Sequence, residues 1–91
     1  MQFEWDPAKA ARNRAKHGVS FDEASTVFGD SLAGTVPDPR PFAGEERTVS
    51  IGHSAAGTLI VVVHVERRSR IRIISARRAT RRETRGYESK G

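Results

Sequence analysis

Leu59-Ile60-Val61-Val62-Val63-His64-Val65-Glu66 and, shortly after it, Arg70-Ile71-Arg72-Ile73-Ile74-Ser75-Ala76 decide the fold. The first run is the most β-prone in the chain and is apolar on both faces for most of its length, the pattern of a central strand. Only Arg67, Arg68 and Ser69 separate it from the second run, so the two form an antiparallel hairpin. With Arg68-Ser69 as the turn, Arg67 faces Arg70, Val65 faces Arg72 and Val63 faces Ile74. Alternation then groups Val61, Val63, Val65 and Arg67 with Arg70, Arg72, Ile74 and Ala76 on one face. Ile60, Val62, His64 and Glu66 share the other with Ile71, Ile73, Ser75 and Arg77. A longer turn would change these partners.

Upstream of the hairpin, Arg47–His53 alternates, with Val49 and Ile51 on one side, and His53–Gly57 is a turn. Ala33–Glu46 holds Gly34, Pro37, Pro39, Pro41 and Gly44, a loop with room for a brief edge strand at Ala33–Val36. At the start, Phe3-Glu4-Trp5 reads as a short strand. Asp6-Pro7 opens a helix that runs to His17, with Ala8, Ala11 and Ala15 on one face and Gly18 as its left-handed stop. Ser20-Phe21-Asp22-Glu23 is a capping box for a second helix that buries Phe21, Ala24, Val27 and Phe28 and ends near Gly29. Thr80-Arg81-Arg82-Glu83 is another box and starts a last helix to about Glu88. The expected class is α+β: a short first strand, two N-terminal helices, an antiparallel meander of three or four strands, and a short C-terminal helix.

A chain of 91 residues suits one domain, residues 1–91. It has no cysteine, which excludes disulfides and thiolate metal sites, and no apolar run long enough for a membrane span. The N-terminus lacks a signal-peptide pattern, so a cytoplasmic location is expected. Residues 64–91 carry ten Lys/Arg, nine of them arginine, against three glutamates, whereas residues 1–63 carry six basic and eight acidic side chains. Arginine grips phosphate with paired hydrogen bonds, so a basic end points to nucleic acid. A solvated basic face without a partner is the alternative.

Glu66 is the acidic residue most closely surrounded by arginines. It is either a general base, or anchor for a catalytic arginine, or simply one half of a cross-strand salt bridge. His64 could exchange protons with RNA, but a histidine on an apolar strand is more often a bonded core residue. His17 suits the end of the first helix and His53 a turn. No metal-ligand spacing, phosphate loop or nucleophile elbow is present, so neither a metal nor another cofactor is expected. An arginine-rich surface can still assist attack of a ribose 2′-hydroxyl on its own phosphodiester, because the nucleophile belongs to the substrate. Arg72 and Arg77 suit that electrostatic role. Trp5 and Tyr87 suit stacking on unpaired bases, although Trp5 is equally suited to pack on Ala10 across the Asp6 cap.

Phe3–Lys9, Lys16–Phe21, Gly44–Arg47, Val62–Arg67, Ile71–Arg77, Arg81–Glu83 and Tyr87-Glu88 together resemble the BrnT family of type II toxins over nearly the whole chain. The resemblance implies a RelE-like fold and a ribonuclease that arrests translation. It also implies a BrnA antitoxin of the ribbon-helix-helix kind, with operator DNA bound only through the toxin–antitoxin complex. On matching positions it implies Glu66, Arg72 and Arg77 as catalytic residues, and Trp5, Lys16, His17, Arg67, Arg81 and Tyr87 as RNA contacts. One departure is the turn, which commonly holds glycine in the family. Arg68-Ser69 must adopt positive φ here if the turn is a two-residue primed type. A non-catalytic basic nucleic-acid-binding module is the rival reading; RNA cleavage in EDTA separates the two.

Overall fold

The hairpin forms as the β-prone runs require, and the rest of the chain is assembled on it. A computed structural model describes residues 1–40 and 46–89; the loop signals Pro41 and Gly44 lie outside them. In chain order come β1 (Gln2–Glu4), α1 (Pro7–His17), α2 (Phe21–Ser25) continuing into a 3-10 turn (Thr26–Gly29), and β2 (Gly34–Pro37). After these come β3 (Thr48–His53), β4 (Leu59–Arg67), β5 (Arg70–Arg78) and α3 (Arg81–Glu88). The sheet has five strands in the order β1-β5-β4-β3-β2. Strands β2 to β5 form a four-stranded antiparallel meander, within the expected three or four, and the short first strand is the fifth. β1 adds to β5 in parallel, Phe3 opposite Ile71, a pairing made through α1 and everything after it.

At the tip the register is the expected one, with Arg67 opposite Arg70 and Val65 opposite Arg72. Arg68 (φ 47°) and Ser69 (φ 70°) both take positive φ, so a primed turn is built without glycine. Further along, Val63 faces Ser75 rather than Ile74, and Ile74 is the extra residue of a β-bulge. The reason is burial. Unbroken alternation would drive Ser75 and Arg77 under the helices, whereas the bulge turns them outward and sends Ala76 in. Ile73 and Ala76 are each 1% exposed.

The inner face carries Ile60, Val62, Ile73 and Ala76, which pack against Val19, Phe21, Ala24 and Val27 from the helical side. The helix ends follow their caps. Asp6 accepts from the Ala8 N–H at 2.9 Å, and Gly18 stops α1 at φ 71°. Ser20 accepts from the Glu23 N–H, but Glu23 does not complete the box; its carboxylate accepts a hydrogen bond from the Ser54 hydroxyl at 2.8 Å. Ala8, Ala11 and Ala15 are exposed, and α1 turns Ala10, Asn13 and His17 inward instead. Asn13 explains the choice. β5 extends past β1, which would leave the peptide at Ala76 unpaired. The Asn13 carboxamide accepts from the Ala76 N–H (3.1 Å) and donates to the Ala76 carbonyl (2.7 Å) and the Val19 carbonyl (3.1 Å). Alanine offers neither a donor nor an acceptor there.

His64 also belongs to the inner face. Its Nε2 meets the Ser50 hydroxyl at 2.8 Å, its ring lies edge-on to Phe28, and its Nδ1 is buried without a partner among the described residues. Burial lowers its pKa, outweighing the opposing pull of the Glu66 charge. It is a core histidine.

Candidate nucleic-acid interface

The outer face of the sheet is apolar in the middle and ionic at both ends. Val61, Val63 and Val65 form the middle and are 4–7% exposed. At the hairpin tip, Arg72 donates to Glu4 at 3.0 Å and Arg70 lies 3.7 Å from the same carboxylate. Glu4, Arg67, Arg68 and Arg70 line an open cavity of about 660 Å³ there. Glu4 reaches this place because β1 pairs with β5, a consequence of topology and not of local sequence.

At the other end, α3 lies over the sheet. Thr80 and Glu83 complete a reciprocal capping box, and the Glu83 carboxylate also takes two hydrogen bonds from Arg77, at 2.8 and 2.9 Å. The Arg77 bonds, followed by the Thr80 backbone, hold the Glu83 carboxyl down to about 2. Glu83 in turn raises the Arg77 pKa. A paired, forked contact fixes the guanidinium plane as well as its position. One turn beyond Glu83, the Tyr87 hydroxyl donates to Asp30 at 2.5 Å, and its ring stands edge-on to His53 with centroids 5.0 Å apart. Tyr87 first, then the backbone N–H groups of His53 and Leu32, lowers the Asp30 carboxyl to about 2, and Asp30 raises the Tyr87 phenol. Glu83 and Tyr87 share a cavity of about 290 Å³ floored by Val36, Val49, Ile51 and Val61.

Arg72 and Arg77 thus share one face but not one pocket. Five residues of strand, one of them bulged, separate their Cα atoms by roughly 15 Å. Between them along β5, Ile74 and Ser75 meet Lys9, Arg12, Lys16 and His17 of α1 around a shallow pocket of about 350 Å³. The cations of α1 therefore meet the β5 edge between Arg72 and Arg77 and form a basic belt there. Among the described residues, no group of three or more His, Asp or Glu side chains is placed to hold a metal ion, and no helix is long and apolar enough to cross a membrane.

The family model for the ribonuclease toxin BrnT of type II toxin–antitoxin systems matches residues 5–83. The chain belongs to the BrnT family. Its fold is similar to that of the Brucella abortus ribonuclease toxin BrnT, with a TM-score of 0.68 and 26% identity, over 89% of this chain and 99% of that one. No curated protein matches it.

Within this BrnT-family fold the residues singled out from the sequence fall into three groups. Arg67, Arg72 and Arg77 project from the outer face, and Tyr87 meets that face from α3. Lys16 and His17 reach the belt at the β5 edge, and Arg81 lies exposed at the start of α3. Glu66 and Trp5 stand apart. Glu66 is exposed opposite Ile71 on the inner side of the tip, and the carboxylates that hold Arg70, Arg72 and Arg77 are Glu4 and Glu83 instead. Trp5 is half-buried against the core, edge-on to Phe21 at 6.0 Å. Sequence reasoning missed Glu4, Asp30 and the placement of His53. The one legible signal was that Asp30 and His53 close neighbouring elements.

Proposed function

We propose that this BrnT-family chain is a metal-independent endoribonuclease whose RNA lies along the arginine belt of the outer face and the β5 edge. The family membership and the fixed guanidinium of Arg77 together support this reading; Arg77 is the observation that carries it. A guanidinium held in place by Glu83 needs no reorganisation to meet charge growing on a phosphorane. Arg72, Arg67 and the α1 cations Lys16 and His17 hold the neighbouring phosphates, with Arg81 extending the belt onto α3. The apolar floor beside Tyr87 suits an unpaired base. Trp5 is half-buried against the core, so it offers RNA only part of its surface. Glu66 meets RNA only round the hairpin tip, so Glu66→Ala is expected to slow cleavage by about tenfold or less, well short of Arg77→Ala.

In the same reading the free protein arrests translation in the cytoplasm, within a RelE-like fold. A BrnA-type ribbon-helix-helix antitoxin neutralises it, and operator DNA is met only through that complex. The test is purified protein with an RNA oligonucleotide in EDTA. Concentration-dependent cleavage that Arg77→Ala abolishes supports the proposal. Tight binding without cleavage leaves a nucleic-acid-binding module.

A further inference from the structure

Resting on that ribonuclease reading is a question about the proton. Attack by a 2′-hydroxyl requires a group to take its proton, and most candidates on the outer face are committed. Glu4 and Glu83 hold arginines, and His64 is in the core. His53, the last residue of β3, is different: its side chain is 48% exposed on the outer face.

Its surroundings fix its tautomer. Asp30 accepts the His53 backbone N–H (2.8 Å), the Leu32 N–H (2.9 Å) and the Tyr87 hydroxyl. A phenol has one proton to donate, and Tyr87 donates it to the Asp30 carboxylate. The 3.2 Å contact between the Tyr87 oxygen and His53 Nδ1 must therefore be an Nδ1–H donating to the phenol. In a neutral ring the lone pair is then on Nε2, which no hydrogen bond occupies among the described residues. Asp30 can approach because residue 52 is glycine: a Cβ at Gly52 would sit 3.1 Å from the Asp30 Oδ2 and 3.0 Å from the Ala33 Cβ.

We infer that His53 Nε2 is the proton acceptor for RNA cleavage, oriented by the Tyr87–Asp30 pair and acting opposite Arg77. His53 pairs with Leu59 and Arg77 with Val61. Two strand spacings and two residues of rise put their Cα atoms roughly 12 Å apart on the same face. Glu83, which binds the Arg77 guanidinium, and Tyr87, which contacts the His53 imidazole, stand one turn apart on α3 and line one cavity. The proposed position of the scissile phosphodiester is between Arg77 and His53. His53 Nε2 removes the 2′ proton as the 2′ oxygen bonds to phosphorus. The bond to the 5′ oxygen breaks, and the same proton passes from the imidazolium to that oxygen. The products are a 2′,3′-cyclic phosphate and a 5′-hydroxyl, with no net proton consumed.

Cleavage of an RNA oligonucleotide in EDTA by the parental protein and by His53→Ala, His53→Gln and Tyr87→Phe tests this. His53→Ala is expected to lower kcat by about 100-fold with KM within a few-fold, and added imidazole to restore part of the loss. His53→Gln keeps a side-chain donor for Tyr87, is expected to fold, and is expected to be as slow. Tyr87→Phe keeps Asp30 3.7 Å from Nδ1 and is expected to cost about tenfold. Parental rates in folded His53 variants overturn the inference. So does a loss that imidazole leaves untouched and Tyr87→Phe reproduces in full, which would assign His53 to holding α3. A parental protein that does not cut RNA sinks the ribonuclease reading itself, and this inference with it.

Discussion

The two faces of the sheet use polar groups in opposite ways. Beneath the helices, each polar side chain completes the structure: Asn13 pairs with the Ala76 peptide, and Ser50 with His64. On the outer face, paired charges leave a guanidinium or an imidazole fixed and facing solvent, as with Arg77 on Glu83 and His53 on Tyr87. The difference teaches that burial alone does not mark function here. Asn13 and His64 are the most buried polar side chains of their elements and serve the fold, whereas the candidate site consists of half-exposed groups held from behind.

Substitutions on the two faces should therefore separate cleanly. Arg77→Ala is expected to lower RNA cleavage on the order of 10³-fold, with only the modest loss of urea midpoint that goes with the Glu83 pairing. Asn13→Ala should do the reverse. It strands a buried donor and acceptor at the sheet edge and is expected to cost about 3 kcal/mol in urea unfolding, with activity per folded molecule retained.

Acid should dismantle the faces in turn. Burial lowers the His64 pKa below its ordinary 6.5, so its contribution is present above that value and is lost as pH falls through the lowered one. Asp30 and Glu83, held at about 2, contribute above their ordinary 3.8 and 4.5 and lose that contribution as pH falls towards 2. Urea midpoints from pH 8 downward should fall in two stages, with His64→Gln removing the first and Glu83→Gln blunting the second. The smallest effect concerns the tip: replacing Arg68-Ser69 by Asn-Gly relieves positive φ at two residues and is expected to add about 1 kcal/mol. A loss of stability would mean that the arginine side chain offsets the strain.

What the sequence disclosed follows from locality. The tip register, the Asp6 and Thr80 caps and the Gly18 stop each rest on neighbours within a few residues, and all are present. The bulge at Ile74 has no local signature; it exists because Arg77 would otherwise be buried. β1 beside β5, Glu4 beside Arg72, and Asn13 on Ala76 join segments more than sixty residues apart. The Ser20 box is half-formed because Glu23 finds a distant partner in Ser54. Among the candidate residues, the arginines were legible as a class from composition. Their division between Glu4 and Glu83, and the opposite aspect of Glu66, required the register.

NMR mapping of a non-cleavable 2′-deoxy analogue of an RNA oligonucleotide, titrated into labelled protein, tests directly where the substrate lies. The account predicts shifts centred on Arg67, Arg72, Ser75, Arg77, Arg81, His53, Tyr87 and the Lys16–His17 end of α1, weakening steeply as salt rises. Shifts centred on α2 and the 3-10 turn, with Arg77 and His53 unmoved, would contradict it.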